Sequence, residues 1–451
     1  MELMSFQQQL FMYGTKQGFE EMELSFESTD KFSCQIHKGE LDQYDTSFES
    51  GVSFRGLFNG KMGYAYTEKL DNESILFLVE NAKENALIIE DEDEELIFEG
   101  SPLYEKHSFY SNELANVTIE EKIAFLSKVE ALIRECDPRV IGTNYCMLET
   151  GEQKRALLNS KGLSLSEHHN YLMIYIAVMV KDGEEVKTGQ YTKLTRDFST
   201  LKEEDIAREA VNEALSFIGG KSIKSKGYPV VLRHDAAASL LHVYSAVFSS
   251  ENAQKGLSRL KGKEGEKIGV TALQVVDHPL LEEGFASRTF DSEGVASTKR
   301  SIIEGGTLKT LLYNTKTAKK EGKQSTGHAY KSSYKGTVTV APSNLYIEAT
   351  NTSYEQIIES VSEGVLITHL SGLHSGTNPI SGDFSVAAKG YYIKNGKVET
   401  PVTQMTIAGN FYELLNSIDS IGSDLDFAKG YGGGYVGSPT LKINRLSVTA
   451  E

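Results

Sequence analysis

The chain has 451 residues, 39% apolar and 24% charged, the balance of an ordinary soluble globular protein with material for about two to three domains. Lys and Arg number 46 against 63 Asp and Glu, and the net charge of -17 repels phosphate backbones. No basic block with interleaved aromatics reverses this, so nucleic acid is excluded as a direct partner.

The opening residues, MELMSFQQQLFMYG, lack the basic start and apolar core of a secretory signal. A helix is predicted over 5–20. From 22 to 67, alternating apolar and polar residues broken by glycines predict an antiparallel meander. Helical spacing returns at 72–89, and the acidic run at 90–95, EDEDEE, reads as a solvated linker or helix end. Residues 118–136 form an amphipathic helix opened by a Thr118/Glu121 capping box and stopped by Asp137-Pro138.

Strands are expected at 139–150, 153–160 and 170–180. The longest apolar run, Tyr171–Val180, falls well short of the ~20 residues that span a bilayer, so it reads as a buried strand and no membrane is implied. A helix at 203–218 is closed by Gly219-Gly220, and a boundary falls near 220–228. Beyond it glycine turns recur about every ten to fifteen residues, which suggests many short antiparallel strands in a barrel or sandwich. One helix is expected there, at 235–248, with Asp235 as its N-cap. It is apolar on all sides and therefore buried. The fold class is α+β: an N-terminal antiparallel sheet with helices, and a C-terminal Gly-rich, strand-dominated, barrel-like part with a buried helix.

The chemistry-bearing residues are sparse. Cys34, Cys136 and Cys146 are scattered and odd in number, which fits a reducing cytoplasm better than a disulfide framework. Gly220-Lys221-Ser222 lacks the leading glycine of a phosphate loop, and no G-x-S-x-G elbow occurs. His369 and His374 share a polar loop with no carboxylate or thiol near in sequence; with Asp383 they form an alternative polar site for an independent hydrolase. On the 235–248 helix, His234 and His242 stand about 12 Å apart along the axis and cannot share one zinc ion.

Several short motifs, weak singly but consistent in order and spacing, carry a resemblance over nearly the whole chain. They include Gly51-Val-Ser-Phe-Arg55, Gly60-Lys-Met-Gly-Tyr-Ala-Tyr-Thr67, Leu158-Asn-Ser-Lys-Gly162 and Phe290-Asp-Ser-Glu-Gly294. Further on come Ile303-Glu-Gly-Gly-Thr-Leu308, Ser381-Gly-Asp-Phe-Ser385 and Gly437-Ser-Pro-Thr-Leu-Lys442. In these the chain resembles the TldD/PmbA (TldD/TldE) family of peptidase subunits, once called modulators of DNA gyrase. The resemblance implies three domains, over 1–100, 101–220 and 221–451, and a cytoplasmic metalloprotease acting on peptides and unfolded proteins. TldD-type chains of that family carry H-E-x-x-x-H on a buried helix and a metal-binding cysteine near the C-terminus; PmbA (TldE)-type chains lack them.

Counted from His242, the glutamate position is Val243 and the second histidine Val247, and no H-E-x-x-x-H occurs in 235–250 in any register. The last cysteine is Cys146, so the C-terminal ligand is missing too. The resemblance therefore implies a PmbA-type chain with no catalytic or metal residues, no cofactor of its own, zinc in a TldD-type partner, and peptide substrates. A peptide-binding homodimer without enzymatic activity is the competing expectation.

Overall fold

The structure is a computed structural model and describes residues 1–90, 93–428 and 434–450. Its first half contains strands β1 (Glu21–His37), β2 (Glu40–Phe58), β3 (Lys61–Thr67), β4 (Val140–Asn159), β5 (Ser164–Asp182) and β6 (Glu185–Thr195). Helices α1 (Leu3–Lys16), α2 (Asn72–Ile88), α3 (Asn112–Asn116), α4 (Ile119–Cys136) and α5 (Glu203–Leu215) accompany them. The strands form one antiparallel sheet in the order β3-β2-β1-β4-β5-β6.

Alternation along β1 decides which face meets what. Met22, Leu24, Phe32, Cys34 and Ile36 enter the cores beneath the helices. Glu23, Ser25 and Glu27 turn to the opposite face, toward the second half of the chain. The Thr118/Glu121 capping box starts α4 as expected.

Two expectations change here. The strands expected at 139–150 and 153–160 are one strand, β4, because Gly151 stays in register opposite Lys31 rather than turning. A Cβ there would sit 2.4 Å from the Tyr171 ring, so the glycine makes room for an aromatic side chain. The acidic run is no free linker: in its described part, Glu94 and Asp93 pair with Lys319 and Lys320 at 2.6 and 2.8 Å, and Glu95 with Lys316 at 3.3 Å. Residues 91 and 92 of that run lie outside the described residues.

The second half has strands β7 (Lys226–Leu232), β8 (Val275–Asp277), β9 (Arg300–Glu304), β10 (Thr307–Leu308), β11 (Ala329–Tyr330), β12 (Thr339–Val340) and β13 (Asn344–Ile347). It continues with β14 (Glu363–Ser371), β15 (Asp383–Lys394), β16 (Lys397–Asn410), β17 (Ile418–Ile421), β18 (Asp426–Ala428), β19 (Tyr435–Ser438) and β20 (Leu441–Ala450). Strands β16-β15-β14-β7-β20 close into a barrel through the β16–β20 pairing, with β17 flanking β20. A second sheet runs β10-β9-β8-β13-β19-β18, and β11 pairs with β12. Gly305 and Gly306, at φ 60° and 75°, make the two-residue β9–β10 turn, which needs positive φ at both positions.

Helix α6 (His234–Tyr244) sinks into the core. Its Ala236, Ala237, Leu240, Leu241 and Tyr244 are buried in one cluster with Val230 and Ile367 of the barrel and Leu345 and Val436 of the second sheet. Tyr244 stacks on Phe411 with ring centroids 4.4 Å apart. The helix ends earlier than expected, and Ser245–Phe248 tightens into a 3-10 turn. Nor does Asp235 cap it: Arg233 holds the cap position, and its guanidinium takes the Asp235 carboxylate, with Nε 2.9 Å from Oδ1.

A buried ion cluster joins the halves. Arg55 Nε lies 2.6 Å from Glu23 Oε1 and Arg55 Nη1 3.5 Å from Glu293 Oε1, all three side chains nearly sealed from solvent. Thr315 donates to Glu293 from its backbone N–H and its hydroxyl, at 2.8 and 2.7 Å. The three cysteines are free, and among the described residues no helix is long and apolar enough to cross a membrane.

Candidate functional site

Two strand edges face one cavity. Among the described residues β6 pairs in a ladder only with β5, and β18 only with β19, so each ends its sheet; Lys389 Nζ donates to the Thr188 carbonyl of β6 at 3.0 Å. Gln190 and Tyr191 of β6 and Asp426, Phe427 and Ala428 of β18 line a cavity of about 790 Å³. The first turns of α6 form part of its wall through Arg233, His234, Asp235 and Ser239. Glu213 of α5, His369 of β14 and Tyr391 of β15 add to the polar lining.

The charges of this wall are committed to one another. Arg233 Nη2 reaches Asp235 Oδ2 at 2.5 Å and Glu213 Oε1 at 3.4 Å. Burial works against charge on Arg233, but the hydrogen bond and charge of Asp235 outweigh it and hold the guanidinium cationic. His234 Nδ1 is 3.1 Å from Asp424 Oδ2, and its Nε2 lies 3.8 Å from Asp426. Burial opposes protonation of His234 as well, yet its bond to Asp424 and the fields of Asp235 and Asp426 raise its pKa. Asp424 also accepts from the Thr440 N–H and hydroxyl, at 3.0 and 2.6 Å. Against the cost of burial, His234 and Thr440 hold the Asp424 pKa down to about 2.

This set does not fit a zinc ion. A zinc site needs neutral imidazoles and free carboxylate or thiolate donors at about 2.0–2.3 Å. Here the imidazole is already bonded to Asp424 through Nδ1, both Asp235 oxygens are held by Arg233, and a fixed guanidinium stands in the wall. Among the described residues no group of three or more His, Cys, Asp and Glu side chains is placed to hold a metal.

The residues singled out from the sequence scatter. His242 is half-buried near the end of α6, and burial lowers its pKa. Its ring has no hydrogen-bond partner among the described residues, and its carbonyl accepts from Ser245 Oγ at 2.8 Å. Val243 packs against the core and Val247 is buried in the 3-10 turn. None of these three lines the cavity. The helix residues that do are His234, Asp235 and Ser239, in the same one, two, six order as H-E-x-x-x-H, with Asp for the glutamate and Ser for the second histidine.

Of the alternative polar site, only His369 lines the cavity. His374 is exposed in the turn Leu373–Gly376, and Asp383 is exposed at the start of β15, accepting from Asn410 Nδ2 at 2.8 Å. His234, Asp235 and Ser239 line the cavity because α6 follows directly on β7, and a helix entered from a barrel strand presents its first turns at the strand end.

Three family models match successive parts of the chain. Residues 225–450 match the PmbA/TldA metallopeptidase C-terminal domain, 112–217 the central domain and 22–86 domain 1. The chain is 26% identical over 432 residues to metalloprotease PmbA of Escherichia coli O157:H7, covering 93% of this chain and 91% of that one. It resembles the crystal structure of a Thermotoga maritima protein described as a candidate modulator of a DNA gyrase, with TM-score 0.91 and 32% identity, over 99% of this chain and 100% of that one. The structure of TldE from Thermococcus kodakarensis shares the fold with TM-score 0.89 at 24% identity, over 99% and 100% of the two chains.

Proposed function

We propose, from the premise that this chain belongs to the PmbA/TldD family of metallopeptidases, that it is the metal-free, PmbA/TldE-type subunit of a cytoplasmic peptidase. A TldD-type partner supplies the zinc. This chain's share of the work is to hold the substrate, an extended peptide or unfolded segment.

The observation that carries this reading is the cavity lined by β6 and β18, each the last strand of its sheet among the described residues, with a committed Arg233–Asp235 pair of α6 in its wall. An edge strand offers alternating N–H and C=O groups, and an extended peptide satisfies them by adding as a strand. Backbone recognition of this kind tolerates many side chains, as a protease of unfolded segments requires. Helix α6 then serves as a wall and core element, and the chemistry of cleavage belongs to the partner.

Strand addition has a direct test. A fluorescent unstructured peptide is titrated with the purified chain, alone and mixed with its TldD-type partner, beside a copy N-methylated at alternate residues. The methylated copy loses the donors a ladder needs, and it is expected to bind about tenfold or more weakly. Equal binding of the two would remove strand addition from the account.

A further inference from the structure

A second cavity, of about 390 Å³, lies where the polar face of the N-terminal sheet meets the loops at 285–292 and 330–334. Met173 lines both cavities. In a chain of net charge -17 this one is locally cationic: Arg155, Arg196, Arg288 and Lys331 line it, against Glu27 and Asp291.

Among the described residues three of these cations, Arg196, Arg288 and Lys331, have no carboxylate within ion-pair distance, and Lys331 donates instead to Ser53 Oγ at 2.5 Å. Arg288 is 8% exposed, and among the described residues the one hydrogen bond of its guanidinium is a long one, 3.5 Å from Nη2 to the Gly327 carbonyl. Arg196 donates to the carbonyls of Glu282 and Gly284 at 3.1 and 2.8 Å and lies over the Phe285 ring at 4.4 Å. Both Nε groups are buried without a hydrogen-bond partner. Among the described residues neither guanidinium has a carboxylate within ion-pair distance.

The acids nearest Arg288 are engaged elsewhere. Asp277 is held by His328 and Ser343, and Asp291 accepts the N–H groups of Glu293, Val295 and Ala329. Glu167 is held by Arg155, His169 and Thr289. Burial accordingly lowers the pKa of Arg288, takes that of Arg196 down to about 10, and takes that of Lys331 to about 8. A buried guanidinium with an idle donor is costly to maintain, and a planar oxyanion is the group that its fork of N–H donors matches.

We infer that this cavity binds a small organic oxyanion, a carboxylate or phosphate head group held by Arg288 with Arg196 as the second cation, and an apolar or aromatic body against Phe285, Phe290 and Tyr435. The site is independent of the peptide-holding edges, although a peptide's terminal carboxylate carries the same chemistry as a free acid.

Calorimetric titration of the full chain tests it with four probes: 3-phenylpropionate, inorganic phosphate, and one short peptide with either a free or an amidated C-terminus. Saturable binding of at least one anionic probe at millimolar concentration or below is expected, weakened by salt and reduced about tenfold or more in Arg288→Met. Thermal stability of Arg288→Met should hold or rise, because an unpaired buried charge is replaced by an apolar side chain of similar length. Preference for the free over the amidated peptide identifies the terminal carboxylate as the source. Binding of 3-phenylpropionate or phosphate without that preference identifies a free small molecule. If Arg288→Met does not fold, Arg196→Gln gives the same reading. No binding by any probe, or undiminished binding in the variant, overturns the inference.

Discussion

At the scale of single residues the site is a set of salt links, and each has a sign that pH can reveal. The raised pKa of His234 means that the folded state favours the protonated ring. Its contribution is therefore fully present below the unfolded value near 6.5 and is lost as pH rises through the raised value. The depressed pKa of Asp424 acts in the other direction: its contribution is present above the unfolded value of about 3.8 and is lost as pH falls toward about 2. Asp424→Asn should flatten both flanks of a stability profile taken from about pH 3 to pH 9 and return the His234 titration toward or below its ordinary range. Its cost near pH 6 should be about 1–2 kcal/mol, since the pair is partly open to water. An unchanged His234 titration by NMR would show that Asp424 does not set its charge.

Arg55 makes a stronger demand. Burial opposes its charge, and Glu23 and Glu293 more than restore it. Arg55→Met leaves two sealed carboxylates without the guanidinium that pairs with both and should destabilise the chain by about 3–5 kcal/mol in urea unfolding. A loss near zero would mean that the two acids are protonated or rehydrated in the folded state.

At the scale of elements, α6 is the piece whose packing matters most. Leu240 is 2% exposed within the cluster that joins barrel and second sheet. Leu240→Ala should cost about 2–5 kcal/mol, read as a lowered thermal midpoint with the cavity wall intact. The burial of this helix was legible, because its apolar residues surround the axis. Its cap was not: Asp235 looks like an N-cap in sequence, but the arginine before it offers a bidentate ion pair that a backbone N–H cannot match. The split of β4 fails for a related reason, since a glycine beneath the Tyr171 ring reads the same in sequence as a glycine in a turn. The capping box of α4 and the Gly-Gly hairpin at 305–306 were legible because both are local chemistry.

At the scale of the whole molecule, the cavity between β6 and β18 has no local signature. Its two edges, β6 and β18, are separated by more than half the chain, and only the packing of the N-terminal sheet against the second half brings them together. The same packing explains two motifs that carried the family resemblance. Phe-Arg at 54–55 and Asp-Ser-Glu at 291–293 are parts of one buried link between the halves, Arg55 with Glu293. The absence of H-E-x-x-x-H was visible in sequence, while the helix residues that line the cavity, His234, Asp235 and Ser239, became identifiable once the cavity was known.

The central claim is that this chain holds peptide and leaves the metal to a partner. Its most direct test is zinc per chain by elemental mass spectrometry, after dialysis against a weak chelator, on the chain alone and on its complex with a TldD-type subunit. The account predicts zinc far below stoichiometric in the chain alone and near-stoichiometric zinc in the complex, retained by the partner. Near-stoichiometric zinc in the isolated chain would contradict it.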